Sequence, residues 1–410
     1  MRKVIFVTMA LCASLLNAQD IEVVNIENDA VQAYLADDTY LYDTDYATSV
    51  ISKYYDKTLY GNLLDKPRGK RVNWVSTTIT SKLSEIRIVV SENADYSNAV
   101  THNTKSLGVR SYTISNMLPD RHYYYKVEEV LLTGEVNEVA HGDFRTEGQL
   151  RMINVDGARN VRDLGGWPTQ FNVPIRYERL YRSAHLDEVT ATGIHDFAEN
   201  LNIGAELDLR GDSPNVASPL GDNVDFMVIS GGMYYSGIKM KEKNAICLNW
   251  VIDRLREGKN VDLHCLVGGD RAGLLAFLIE GVLGVEEINL IRDYELSTFS
   301  DRMRPRSYEK TTNDTFAQLV PYIYTHGPSY DLAKCFYNYW LDCGVSKENL
   351  DYLRYVMLGI EDVNTGIVDV EAPSGKVAAV YDINGVRHSS PVKGINIIVN
   401  ADGSVKKIVK

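Results

Sequence analysis

Val261-Asp262-Leu263-His264-Cys265-Leu266-Val267-Gly268-Gly269-Asp270-Arg271-Ala272-Gly273, continuing through Leu274 to Gly284, is the stretch from which the rest of the chain is read. Apolar residues lead into a His-Cys pair, a short loop with two glycines follows, and an arginine opens a run apolar enough for a buried helix. The pattern is strand, loop, helix. Backbone N–H groups of such a loop and the unpaired donors of the helix N-terminus converge on one concavity, which suits a phosphate. Cys265 stands at the start of the loop and Arg271 at its end. The nest, the helix end and the guanidinium each favour the thiolate over the thiol, and the thiolate is the species that attacks. Arg271 can also grip two phosphoryl oxygens at once.

His264-Cys265-x-x-Gly268-x-Asp270-Arg271-x-Gly273 resembles the signature of the bacterial atypical tyrosine phosphatases, a cysteine-dependent family. Asn160-Val161-Arg162-Asp163-Leu164-Gly165-Gly166, Tyr181-Arg182-Ser183 and Asp208-Leu209-Arg210 resemble further blocks of that family, in its order. The resemblance spans roughly residues 148 to 360 and implies an α/β phosphatase domain that needs neither metal nor cofactor. Cys265 is then the nucleophile, forming a phosphocysteine that water hydrolyses. Arg271 is a phosphate ligand, its competing role being a salt bridge with Asp270 or Asp208. Leu266, Val267, Gly268, Gly269 and Ala272 complete the phosphate loop.

A leaving oxygen needs a proton and the second step needs an activated water, so a carboxyl group is required. The family places an Asp where Asp270 stands and lacks a separate acid loop, which makes Asp270 the first choice and Asp208 the second. The competing role for Asp270 is a helix N-cap. His264 is read as orienting the loop through backbone hydrogen bonds. Arg210, Arg162 and Arg182 either extend the cradle or brace it, and Arg162 is assigned to bracing because Asp163 beside it offers an ion pair.

Two positions depart from the family. Gly269 stands where many members carry Lys, which removes a cation able to hold a second phosphate. Ala272 stands where a Thr or Ser hydroxyl usually assists the leaving thiolate, and its absence points to slow turnover.

The chain has 410 residues, 45% hydrophobic and 24% charged, an ordinary soluble composition long enough for two or three domains. A net charge of −12 argues against nucleic acid or an anionic membrane as partner, so local arginines must overcome a general repulsion of phosphates. Met1-Arg2-Lys3, the apolar run Val4 to Leu16 and Leu16-Asn17-Ala18 read as a signal peptide over 1–18. Export to the periplasm or surface of a Gram-negative bacterium is therefore expected. No later apolar run is long enough for a transmembrane anchor. Cys247, Cys335 and Cys343 are read as buried free thiols, and no cluster has metal-ligand spacing.

Along the chain, residues 19–58 form an N-terminal extension with helical patterns at 29–35 and 47–55. Residues 59–147 alternate over 72–75, 86–90, 111–114, 123–127 and 142–146, which predicts a β-sandwich. Leu118-Pro119 with Tyr123 four residues past the proline resembles the tyrosine corner of fibronectin type III domains. Residues 148–362 alternate helix and strand, with Thr190 an expected N-cap and helices expected at 288–299, 316–324, 330–340 and 350–357. Residues 366–410 return to β, with turns at Asn384-Gly385 and Asp402-Gly403, and resemble C-terminal sorting tails.

These readings converge on an exported phosphatase acting on a phosphorylated protein or a small phosphate ester, phosphotyrosine first. One rival is an inositol-polyphosphate phosphatase using Arg302, Arg304 and Arg306 as extra cations, although such a charge run is usually a solvated loop. The other is a phosphate-binding module with little turnover, motivated by Gly269 and Ala272.

Overall fold

A computed structural model describes residues 21–38, 51–54, 66–104, 106–212, 214–300, 306, 316–360, 377–382, 387–388, 395–400 and 405–409. The segment read as a leader, Arg302, Arg304 and both tail turns lie outside these. The chain forms two units, one from Met1–Asn25, Gly69–Ile114 and Pro119–Glu147, the other from Ile26–Arg68, Ser115–Leu118 and Gly148–Lys410.

The first unit is all-β. Its strands are β1 (Val23–Asn25), β2 (Lys70–Asn73), β3 (Leu83–Ser91), β4 (Val100–Thr104), β5 (Ser111–Ile114), β6 (His122–Leu131) and β7 (Val136–Glu147). They make a five-stranded sheet in the order β1-β7-β6-β3-β4 and a separate β2-β5 ribbon. Alternation along β6 and β7 buries Tyr123, Val127 and Phe144, and the Tyr123 ring stacks on Phe144 at 5.7 Å. Each expected strand overlaps an observed one, whereas β1 and β4 were not read from the sequence. Both are edge strands, with one face and one side unpaired, so the apolar pattern they need is slight.

The second unit carries β8 (Arg162–Asp163), β9 (Leu180–Ser183), β10 (Ile203–Asp208), β11 (Asp225–Val228) and β12 (Asn260–His264) in the order β11-β10-β12-β9-β8. Strands β9 to β12 run parallel and β8 is antiparallel. Its helices are α1 (Asp29–Ala36), α2 (Ala191–His195), α3 (Tyr234–Ile238), α4 (Lys241–Arg256), α5 (Arg271–Val282), α6 (Glu287–Leu296), α7 (Leu319–Tyr324), α8 (Leu332–Asp342) and α9 (Lys347–Leu358). Thr190 caps α2, its hydroxyl accepting from Gly193 N at 3.2 Å. Apart from Arg271 and Glu280, helix α5 is apolar, and it is buried on every side, as a central helix is. Parallel register gives the sheet two unlike faces. Ala205, Leu207, Val261 and Leu263 join the main core, while Glu206, Asp208, Asp262 and His264 alternate onto the other face.

From Ile26 onward the N-terminal extension belongs to the second unit, and Val31, Tyr34 and Ile51 join its core. Asn28 caps α1, accepting from Ala30 N and Val31 N, both at 3.0 Å. Val31, Tyr34 and Ile51 are fully buried in the cluster that contains α5, and Tyr34 donates to Glu295 Oε2 at 2.7 Å. The Glu27 carboxylate accepts from Gln149 N and Leu150 N at 2.9 and 2.7 Å. Truncation by Tyr34→Ala is expected to cost about 3–5 kcal/mol, the usual range for a buried aromatic. Urea denaturation measures this, and an unshifted midpoint would show that α1 is dispensable.

The C-terminal strands Val377–Asp382, Arg387–His388, Ile395–Asn400 and Val405–Val409 pair antiparallel in one four-stranded sheet.

Candidate active site

Strand β12 ends at His264, and Cys265 follows it into the loop that opens α5, beyond the carboxyl edge of a parallel sheet. That edge is where α/β folds collect their chemistry. Cys265 is 1% exposed, with Leu266 standing out beside it at 49%. Three successive loop carbonyls are held from outside. Leu266 O accepts from His185 N at 3.4 Å, Val267 O from Asn160 Nδ2 at 3.0 Å and Gly268 O from Arg182 Nη2 at 2.6 Å. In a trans peptide the N–H points opposite to the preceding carbonyl, so the amides of 267, 268 and 269 face the concavity. Gly268 is required here: its φ is +73°, and a Cβ would meet Ser183 O at 2.4 Å. Ala272 is wholly buried in the first turn of α5.

One buried carboxylate organises the brace. Asp293 on α6 accepts from Arg162 Nε at 3.0 Å and from Arg182 Nη1, and its carbonyl accepts from Arg162 Nη2 at 2.8 Å. Arg162 also donates to Asn160 Oδ1, and Asn160 Nδ2 reaches Ser297 Oγ at 3.3 Å. Burial alone would raise the Asp293 pKa, but the two guanidinium groups hold it below the ordinary value. Glu280 on α5, buried nearby without a hydrogen-bond partner for either oxygen among the described residues, is pushed well up by burial and by Asp293. Arg162 thus pairs with Asp293 and not with the adjacent Asp163. Asp163 lies 3.5 Å from Arg151 and caps Gly165 N and Glu178 N, and burial raises its pKa to about 6.

Asp208, the second choice for proton transfer, is bonded to Arg210. It is fully buried and accepts from the backbone N, Nε and Nη2 of Arg210 at 2.9, 3.0 and 2.8 Å. Arg210 spans from there to Asp187 through two bonds of 2.6 and 2.9 Å, so it braces the site. Its carbonyl accepts from Arg271 Nη1 at 2.8 Å, and Asp212 lies 4.0 Å from Arg271. His264 departs from its expected role: Nε2 meets Glu206 Oε1 at 2.8 Å instead of a backbone group. Burial opposes protonation of this imidazole, yet Glu206, Asp262 and Asp208 raise its pKa overall.

Asp270 makes no side-chain cap to α5. It faces Arg306, whose Nε and Nη2 bond its two oxygens at 2.8 and 3.0 Å, and the Tyr234 hydroxyl donates to Oδ1. Arg306 is nearly wholly buried, which corrects the reading of this charge run as solvated at that position. Asp293 and Tyr234 carry no sequence signal because each lies far along the chain in an unremarkable helix, and Arg306 enters the sequence reading only as an extra cation for the inositol-polyphosphate rival; Asn160 sits within a legible motif. Cys247, Cys335 and Cys343 are free and buried. No group of metal-ligating side chains occurs among the described residues, and no helix among them is long and apolar enough to cross a membrane.

An anion cradle between strand and helix, with a cysteine at its base and an arginine at its rim, makes this unit an α/β phosphatase-type domain. Residues 153–350, just under half of the chain, match the model of the tyrosine phosphatase family, and the match supports protein-tyrosine phosphatase as the enzyme class. Two similar solved structures are of P. aeruginosa TpbA. A cysteine-to-serine variant in complex with pTyr is 19% identical over 32% of this chain and 75% of that one. A second TpbA structure is 16% identical over 45% and 89%, and both have a TM-score of 0.25, too low to bear on this chain's fold or substrate. No curated protein matches the sequence.

Proposed function

We propose that this chain is an exported phosphatase that hydrolyses phosphate monoesters, phosphotyrosine first, through a phosphocysteine on Cys265. The observation that carries the reading is the loop whose carbonyls are tied outward, leaving amides 267 to 269 and Arg271 to surround a phosphoryl group above Cys265. Such preorganised donors stabilise the charge that develops on the equatorial oxygens. Asp270 handles protons at the loop's far end. The leader over 1–18 directs export, and cleavage is expected to leave Gln19 as the new N-terminus. The all-β unit is a fibronectin type III-like spacer, a reading supported by the Leu118-Pro119 to Tyr123 pattern.

Phosphate release by the reduced protein from phosphotyrosine peptide, phosphoserine peptide and inositol hexakisphosphate tests the function, with phosphotyrosine expected to lead. Arg306 is already bonded to Asp270, which removes one of the three cations that motivated the inositol-polyphosphate rival; Arg302 and Arg304 lie outside the described residues. Preference for inositol hexakisphosphate would overturn the substrate class. Tight phosphopeptide binding with no release would point to the binding module.

Asp270→Asn is expected to lower kcat by about 10²–10⁴-fold, the contribution of a positioned proton-transfer group. With an activated aryl ester the first step survives, so a burst of phenol and a phosphorylated Cys265 should be seen by intact mass. An unchanged kcat would remove Asp270 from the reaction.

A further inference from the structure

The surroundings of Asp270 decide which proton it can handle. Arg306 Nε and Nη2 take one oxygen each, at 2.8 and 3.0 Å, and the Tyr234 hydroxyl adds a bond to Oδ1. With the Tyr234 proton committed there, its contact with the Tyr294 hydroxyl at 3.1 Å has Tyr294 as donor. Burial, then the Asp270 charge, push the Tyr234 phenol up to about 12, so it stays a donor at neutral pH. Tyr234 sits at φ +48°, a left-handed conformation that bulky residues adopt rarely and mostly at functional sites.

Arg306 is built into its place. The Thr298 hydroxyl accepts from Arg306 N at 2.8 Å and donates to Arg306 O at 2.7 Å. A Cβ on Gly269 would lie 3.0 Å from Arg306 Nε and 3.4 Å from Cζ. The cation that Gly269 seemed to remove is thus supplied by Arg306, whose guanidinium fills the space a side chain at 269 would need.

We propose that Arg306 and Tyr234 hold Asp270 as a carboxylate through the first step, so that expulsion of the ester oxygen depends on the leaving group and the enzyme selects aryl over alkyl phosphates. The proposal rests on the phosphatase reading above. An adjacent cation and hydrogen bonds to the charged form both favour ionisation. Among the described residues, Tyr234 on α3 and Arg306 bond Asp270 directly, and Tyr294 on α6 lies behind Tyr234. In the first step the Cys265 thiolate forms the S–P bond as the P–O bond breaks, and the electron pair departs on the ester oxygen. A phenolate carries that pair and takes its proton from water, whereas a more basic alkoxide is a poor leaving group without a donor. In the second step water attacks phosphorus, Asp270 takes a proton from it, and the P–S bond breaks to restore the thiolate. Asp270 then releases the proton to solvent. Arg306 and Tyr234 are positioning residues that favour the base and forgo the acid.

The test is kcat/KM, which reports the steps through phosphocysteine formation, across aryl phosphates of graded leaving-group pKa and one alkyl phosphate. Wild type, Arg306→Gln, Arg306→Lys, Tyr234→Phe and the Arg306→Gln/Asp270→Asn double variant are compared. Wild type is expected to fall steeply as leaving-group pKa rises. In Arg306→Gln the aryl-to-alkyl ratio should drop about a hundredfold, the lower range of what a positioned proton donor supplies. Its kcat/KM should also acquire a decline with rising pH as Asp270 loses its proton. Tyr234→Phe should shift the ratio the same way by less, Arg306→Lys should restore part of the slope, and the double variant should restore the steep dependence. If Arg306→Gln does not fold, Tyr234→Phe carries the comparison. A shallow wild-type slope, or folded variants that keep the wild-type slope, overturns the clamp alone. A wild type that hydrolyses none of these esters defeats the phosphatase reading and the clamp with it.

Discussion

Cys265→Ser is expected to reduce phosphate release by at least about 10⁴-fold while leaving the fold and phosphate binding in place, in line with removal of other covalent nucleophiles. The side chain is 1% exposed at the base of the loop, and serine is close to cysteine in size, so packing is little disturbed. The chemistry changes more than the shape. Sulfur is a stronger nucleophile towards phosphorus than a serine oxygen and a better leaving group from it. The cradle itself does not depend on sulfur, because Asn160, Arg182 and His185 hold the loop carbonyls. Orthovanadate or phosphopeptide binding should therefore survive in the variant and can be read by calorimetry. Release within tenfold of wild type would sink the phosphocysteine mechanism.

Asp293→Ala is expected to destabilise the protein by about 3–5 kcal/mol, because removing one member of a buried ion pair leaves the others uncompensated. Arg162 and Arg182 are almost fully buried, and each lies in the other's field, with Asp293 between them. Without that carboxylate, Arg182 loses what holds it under Gly268 O, and phosphate binding should weaken together with the urea midpoint. Asp293→Asn keeps the shape and should cost less. The pH dependence has a definite sign. A carboxyl depressed in the fold stabilises above its unfolded pKa of about 3.9, and that contribution is lost as pH falls through the folded value. Wild type should therefore lose stability on acidification over a window below about pH 5 in which Asp293→Ala changes less. Equal urea midpoints for wild type and Asp293→Ala would show that the brace lies elsewhere.

The second unit was largely legible because its chemistry is local. The run from Val261 to Gly284 reads as strand, loop and helix from periodicity and two glycines, and α5 is apolar apart from Arg271 and Glu280. Edge strands β1 and β4 were not legible, since an edge needs little apolar pattern. Helix α1 is legible as a helix but not as core, because its apolar Val31 and Tyr34 carry no sign of the core cluster they join or of Glu295 on α6.

The sequence by itself determined the strand, loop and helix that bring Cys265, two glycines and Arg271 together, since backbone geometry ties these groups within seven residues. Only the tertiary structure decided their partners. Arg162 was assigned to the carboxylate next to it and instead meets Asp293, 131 residues on. Asp270 takes Tyr234 and Arg306, each 36 residues away. Charges attract by distance in space and are alike wherever they stand in the chain, so the partner of a buried arginine becomes visible when helices α3 and α6 close over the loop.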